Sequence, residues 1–415
     1  METFLVGGAV RDRLLGRPVS ERDYVVVGAT PETMEARGFR PVGRDFPVFL
    51  HPQTHEEYAL ARTERKTARG YHGFSFNASP EVTLEEDLAR RDLTINAMAE
   101  AADGSLIDPF DGQRDLRERL LRHVSDAFVE DPVRLLRVAR FTAQLAPWGF
   151  HIAPETGEML RQLVRNGEVD ALVPERVWAE CEKALASPAP VRFFETLRDT
   201  GALAVLFPEV ARLFGVPQPP RYHPEIDTGV HTFMVLEQAT RLSTAPEVRF
   251  AALVHDLGKA DTPAEILPGH RGHEERGVIR IQALAQRLRI PNRYRDLAIK
   301  VARHHGLVHR FFELRPQTVV KLFEALDILR RPEGLEPFLQ AVEADFRGRG
   351  GAFPERSYPQ ADAMRRAAEA VARVSVQPLL DAGLKGEALG EALRRARVRA
   401  VAALDLKRSA PDPAP

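Results

Sequence analysis

The sequence predicts a small α/β head followed by a mostly α-helical body, and three observations carry that expectation. Short β-branched or aromatic runs punctuated by glycine crowd the first 110 residues. From about Leu84, Ala, Leu, Arg and Glu dominate with helical periodicity almost to the end. Proline-rich breaks then divide the helical stretch. A chain of 415 residues has room for two to four domains. Apolar residues make up 44% and charged residues 28%, which argues against long disorder. Lys plus Arg number 58 against 59 Asp plus Glu, so no bulk positive charge is available to attract phosphate. Local basic patches stay open. The single Cys181 excludes a disulfide framework and a cysteine-based zinc site, and fits a reducing compartment. Gly7-Gly8 arrives before any apolar stretch long enough for a signal peptide. Nowhere do about 18 apolar residues run on, so the expectation is a cytoplasmic protein without a membrane span.

Element by element, Phe4-Leu5-Val6 reads as a strand, Val10 to Leu15 as a short helix, and Tyr24 to Val27 as a second strand. Val48-Phe49-Leu50 and Glu57 to Ala61 read as further strands. Leu84 to Ala99 reads as one helix, with Leu84, Leu88, Ile95 and Met98 on an apolar stripe that includes Arg91. Asp131 makes a good N-cap with Pro132 at the first helical position. Pro217, Pro219, Pro220 and Pro224 break the chain between Phe214 and Asp227. A second break spans Gly348 to Pro359, and Ser409 to Pro415 forms a proline-rich tail. The expected domains are a head over 1–127, a helical neck over 128–220, a histidine-rich domain over 221–350 and a helical tail over 351–415.

The head carries the first chemical signals. A strand enters Gly7-Gly8 and a helix leaves it, with Arg11 in the first turn, which can cradle an anion or form a plain tight turn. Glu21 and Asp23, at i and i+2 of a strand, share one face; they hold a divalent cation or stand as solvated acids. Arg91 on an apolar face needs an anion, from Asp87, Asp92 or a ligand phosphate. Arg134, Arg137 and Arg140 recur every three residues along one helix, suiting a triphosphate or a base edge. With 51 Arg against 7 Lys, a chance triplet on a solvated face is the competing reading.

Histidine is unevenly spread: eight of the 13 lie between His223 and His309. His231, His255-Asp256, His273, His304-His305 and Asp345 form a candidate N/O metal set able to activate water for phosphate-ester hydrolysis. His304 and His305 lie about 100° apart on a helix, so one of them points inward. His305 is taken as the ligand.

Together, Gly7-Gly8-Ala9-Val10-Arg11-Asp12, Leu14-Leu15-Gly16, Glu21-Arg22-Asp23, Arg90-Arg91-Asp92-Leu93-Thr94-Ile95-Asn96-Ala97 and Glu130-Asp131-Pro132-Val133-Arg134 resemble the class II tRNA nucleotidyltransferases. The likeness runs from Phe4 to about Arg399 and is closest to the bacterial form with an appended phosphohydrolase domain. It implies a polymerase-β-like palm and template-independent addition of the 3′-terminal CCA of tRNA from CTP and ATP. By the same resemblance Gly8, Arg11 and Arg91 would bind the nucleotide, and Glu21 and Asp23 would hold catalytic Mg2+. Asp131 and Arg134 would read the Watson–Crick edges, with Arg137 and Arg140 lining the same pocket. Glu57 is a weaker candidate for a third carboxylate. The family pattern is Asp-x-Asp, from which Glu21 departs by one methylene.

His255-Asp256-Leu257-Gly258-Lys259 resembles the core of the HD phosphohydrolases. That implies a divalent transition metal such as Ni2+ on His231, His255, Asp256, His273, His305 and Asp345. Phosphatase, 2′-nucleotidase and 2′,3′-cyclic phosphodiesterase activities are implied with it, in a monomer or homodimer. A poly(A) polymerase, a partial CC- or A-adding enzyme, and a non-catalytic RNA-binding relative are the alternatives. Basic stretches at Arg62 to Gly70 and Leu384 to Arg408 could track a tRNA backbone or be solvated faces.

Overall fold

The computed structural model describes residues 1–406 except Ser20, 43–47, 67–73 and Asp405. The expected tail and parts of both basic stretches lie outside the described residues. The chain divides into two compact units, Met1–Leu206 and Phe207–Pro415.

In the first unit β1 (Glu2–Val6), α1 (Gly8–Leu14), β2 (Asp23–Val27), α2 (Pro31–Ala36), β3 (Arg40–Val42), β4 (Val48–Leu50) and β5 (Glu57–Leu60) come first. The hairpin β6 (Thr63–Lys66) and β7 (Phe74–Asn77), helix α3 (Leu84–Ala89), β8 (Ala99–Glu100) and β9 (Leu106–Ile107) follow. Among the described residues the main sheet runs β3-β4-β5-β2-β1-β8-β9, with β2 and β5 parallel and the other pairs antiparallel. Alternation along β2 buries both faces. Val25 packs with Phe4, Val6 and Leu88, whereas Val26 packs with Met34, Phe49 and Leu60. A helical part completes the unit: α4 (Gly112–Glu118), α5 (Val133–Leu145), α6 (Pro154–Arg165), α7 (Pro174–Leu185), α8 (Val191–Thr200) and α9 (Ala202–Leu206). Helix α5 packs against α7 and α8 and is buried along most of its length.

Three local expectations change. The helix expected over Leu84 to Ala99 stops at Ala89, and a 3-10 turn at Thr94–Asn96 leads into β8 beside β1. The cause is Asp92, whose carboxylate accepts from Leu93 N at 2.8 Å and from the Asn96 side chain at 3.0 Å. Such local bonds compete with the helical ladder. The chain beyond Leu84 is thus interrupted by strands β8 and β9, and by the short parallel pair β10 (Leu120–Leu121) and β11 (His151–Ile152). The start of α5 shifts by one residue: Pro132 occupies the cap, and Asp131 accepts from Val133 N at 3.1 Å.

The second unit is helical: α10 (Pro208–Ala211), α11 (Thr228–Leu242), α12 (Pro246–Val254), α13 (His273–Arg287), α14 (Asn292–His309), α15 (Pro316–Ala325), α16 (Leu335–Arg347), α17 (Pro359–Ala372), α18 (Gln377–Asp381) and α19 (Gly386–Ala402). Asp227 caps α11 by accepting from Val230 N at 2.9 Å, and so ends the proline-rich break. Helices α11, α12, α14 and α16 pack together, with Val235, Ala239, Ala252 and Ala344 closing their centre. Among the described residues no helix is long and apolar enough to cross a membrane.

Candidate functional site

In the first unit the expected head and neck residues, except the weaker candidate Glu57, line one pocket of about 620 Å3: Gly8, Arg11, Glu21, Asp23, Arg91, Asp131, Arg134, Arg137 and Arg140. Gly7 sets its floor, with φ at +71°, and a Cβ there would lie 2.9 Å from Arg91 Nη1. Helix α1 then carries Arg11, whose Nη1 donates to Asn96 Oδ1 at 2.6 Å and whose Nε donates to Asp12 at 2.9 Å. Arg91 donates to Asp87 at 3.2 Å, yet its Nε is buried with no partner. The internal partner left open for Arg91 is therefore Asp87. Burial alone would raise the Asp87 carboxyl, but Arg90 and Arg91 outweigh it and hold it below the usual range.

The arginine triplet faces the pocket with carbonyls or acids behind it. Arg134 donates to the Ala127 and Arg90 carbonyls at 3.0 and 2.5 Å. Arg137 meets Asp92 at 2.7 Å, Arg140 meets Glu180 at 2.6 Å, and all of Arg11, Arg137 and Arg140 approach the ring of Phe141. Asp131 is held by Arg176 at 2.7 Å. Phe141 and Arg176 escaped the sequence reading, which quoted Asn96 only within a motif and offered Asp92 as a partner for Arg91 rather than for Arg137. The Asp92/Asn96 spacing of four inside the quoted motif was a usable signal; Arg176 had none.

Glu21 lies just outside β2 and Asp23 is its first residue, and both face the pocket. Burial raises the Asp23 carboxyl, against the pull of Arg91, and Glu21 raises it further. Two acids facing an arginine-lined pocket, one of them raised by burial and by its neighbour, fit a divalent cation that would neutralise them. Glu57 stands opposite Asp23 in the β2–β5 register and is exposed.

In the second unit the expected ligands also converge. His231 comes from α11, His255-Asp256 from just past α12, His273 from the start of α13, His305 from α14 and Asp345 from α16. His231 Nε2 lies 3.2 Å from Asp345, His255 Nε2 3.1 Å from Asp256, and His273 Nε2 3.4 Å from Asp256. His255, His273 and His305 donate from Nδ1 to the carbonyls of Ala252, His270 and Val301 at 2.7, 2.8 and 3.0 Å. Each thereby turns its Nε2 toward the cluster, the orientation of a metal-ligating histidine. Neither carboxylate oxygen of Asp256 has an aligned donor, although Lys259 Nζ is 2.6 Å away. Buried acceptors left so are what a divalent cation satisfies. Burial lowers His305 to about 3, whereas Asp256 and Asp345 overcome burial and hold His255 up to about 10.

His305 is inward and buried, and His304 belongs to none of the potential ligand groups found among the described residues. His309 was missed: it meets Asp345 at 2.6 Å, and its place one helical turn past His305 was the available signal. Glu225 and His223 were missed too, with Glu225 2.9 Å from both His223 and His231. Gly258 fixes the spacing of the cluster. A Cβ there would lie 2.0 Å from the His273 carbonyl oxygen and 2.4 Å from Gly277 N.

The fold and the two sites define a nucleotidyltransferase head joined to an HD-type unit. Residues 3–122 match the poly A polymerase head domain family, 149–214 the probable RNA and SrmB-binding site of polymerase A, and 228–331 the HD domain. The chain belongs to the multifunctional CCA protein family. It is 66% identical over 415 residues to the multifunctional CCA protein of Methylococcus capsulatus, covering 100% of this chain and 97% of that one. It is 65% identical to that of Thioalkalivibrio sulfidiphilus, covering 97% and 98%. Among solved structures, the Thermotoga maritima CCA-adding enzyme complexed with tRNA shares the fold at TM-score 0.63 and 20% identity, over 98% of this chain and 90% of that one. The Bacillus stearothermophilus CCA-adding enzyme in complex with CTP gives 0.59 and 25%, over 96% and 88%.

Proposed function

We propose that this chain adds C, C and A to the 3′ end of tRNA from CTP and ATP without a nucleic-acid template, and that its second unit hydrolyses phosphoesters. The observation that carries the first part is the single pocket in which two acids face a ring of arginines. Arg11 and Arg91 bind the triphosphate, with Gly8 letting the backbone approach it. Glu21 and Asp23 hold Mg2+, which when bound neutralises the phosphates and lowers the barrier to attack by the tRNA 3′ hydroxyl. That hydroxyl bonds to the α-phosphorus as the bond to pyrophosphate breaks. Arg134 and Asp131 present a donor and an acceptor to the base edge. Their ties to Arg90, Ala127 and Arg176 keep them rigid, so side chains do the work of a template. Arg137 and Arg140 line the same pocket.

In the second unit His231, His255, Asp256, His273, His305 and Asp345 hold a divalent transition metal, of which Ni2+ is one candidate. Bound there, it supplies an activated water for phosphatase, 2′-nucleotidase and 2′,3′-cyclic phosphodiesterase chemistry. The test of the first activity uses tRNA lacking its 3′ end, Mg2+ and labelled CTP or ATP, singly and together. Ordered C, C, A addition is the expected result. A tails without C point to a poly(A) polymerase, and no transfer would sink both readings.

A further inference from the structure

A cleft of about 320 Å3 adjoins the metal-ligand cluster of the second unit and shares His223 and His273 with it. Its volume suits one nucleotide-sized ligand. Most polar groups on its walls are already committed. Lys259 Nζ is held by Asp256 and by Gln218, at 2.6 and 2.5 Å. His270 is fixed at both ring nitrogens, to Thr262 at 2.7 Å and to the Pro217 carbonyl at 3.0 Å. Arg349 and Tyr222 stand apart from this pattern, with the exposed Arg271 and the unpartnered Nε2 of Gln218 on the same walls. Arg349 has no ion pair among the described residues, and its Nε is buried without a partner. Its guanidinium sits 5.6 Å from the rings of both Phe346 and Phe353, which orient it without neutralising it. A cation held in place with its charge unanswered, beside a hydrolytic cluster, is matched by an anionic ligand. Tyr222 lines the same cleft and is 53% exposed, with the Arg221 guanidinium 5.6 Å from its ring. An exposed aromatic ring and an unanswered cation lining one cleft offer both halves of a nucleotide their partners.

We propose that Arg349 and Tyr222 are the substrate-binding residues of the second unit, Arg349 taking the phosphate of a nucleoside phosphoester and Tyr222 stacking its base. This rests on the phosphohydrolase reading and names how that site selects its substrate. The free mononucleotide and the terminal nucleotide of an RNA present the same chemistry, so both serve as probes.

The full-length protein loaded with divalent metal is assayed with adenosine 2′-phosphate, with a short RNA ending in a 2′-phosphate, and with glycerol 2-phosphate, which has no base. Tyr222→Ala is expected to lower the preference for the nucleotide or the RNA end over glycerol 2-phosphate, as a kcat/KM ratio, by about five- to a hundredfold. Tyr222→Trp is expected to restore it. Arg349→Ala is expected to raise KM for the base-bearing and base-free phosphates alike, leaving their ratio in place. Metal content by elemental analysis and the melting temperature report whether each variant keeps its cluster and fold. Adenosine 2′-phosphate binding is also followed by calorimetric titration, apart from turnover. Binding that needs Tyr222 and Arg349, in a protein that turns over none of the three substrates, would overturn the hydrolase reading and keep this one. A Tyr222→Ala protein with intact metal content and unchanged preference and binding for both base-bearing probes overturns the proposal. So does an Arg349→Ala protein whose KM for every phosphate is unchanged.

Discussion

The pocket of the first unit and the cluster of the second handle charge in opposite ways. In the pocket Arg91, Arg134, Arg137 and Arg140 each already have a carboxylate or carbonyl behind them, so their orientation is fixed before a ligand arrives. In the cluster Asp256 and Asp345 are 1% and 2% exposed and face histidines, with the oxygens of Asp256 short of aligned donors. The arginines of the first site are set in place by protein partners, with a cation needed only between Glu21 and Asp23; in the second a cation is needed at the centre of the cluster itself. That difference predicts how each one breaks.

The largest effects come from removing one ligand at either site. Asp23→Ala is expected to cut labelled CTP incorporation by about a thousandfold while leaving hydrolysis of 4-nitrophenyl phosphate intact. His255→Ala is expected to do the reverse, and coupled losses in both assays would contradict separate sites. Next, Arg134→Ala should erode the choice between CTP and ATP by about tenfold, the scale of one base-edge contact. Competition between the two labelled nucleotides measures this, and unchanged discrimination would remove Arg134 from base reading.

A smaller effect concerns what stands behind the arginines. Burial alone would raise the Asp92 carboxyl, but Arg137, Asn96 and the Leu93 N–H outweigh it and hold it well below the usual range. A group depressed in the folded state stabilises above its unfolded value, about 3.9, and loses that contribution as the pH falls through its folded value. Asp92→Asn should therefore cost about 1–2 kcal/mol at neutral pH in urea unfolding, with the exposed end of Arg137 limiting the figure. The gap from wild type should narrow below about pH 4. Least of all, Glu21→Asp should change the addition rate by only a few fold, since charge and ligand type are kept. A loss as large as that of Asp23→Ala would mean that the extra methylene is required.

The two sites were also unequally legible. Most of the first lies in short contiguous motifs, so Gly8, Arg11, Glu21, Asp23 and Arg91 could be picked out by type and spacing. The elements around them were read less well. The helix expected through Leu84 to Ala99 failed because Asp92 spends its carboxylate on its own neighbours, which a periodicity count does not register. Arg176 reaches Asp131 from 45 residues away, a tertiary contact without a local pattern. In the second unit most of the candidate ligands announced themselves as clustered histidines. The residues that orient them did not: Glu225 lies in a proline-rich loop whose path only packing determines.

Gly258 gives the second site a different kind of dependence. Its missing side chain lets the turn after α12 touch the start of α13, bringing Asp256 and His273 within reach of each other. A one-carbon addition there is a wedge between two candidate ligands, although it removes no donor atom. Surveys that sort variants by which ligands survive would score such a protein as intact. The dimension they omit is clearance, and at this position clearance is as much a part of the candidate metal centre as the imidazoles.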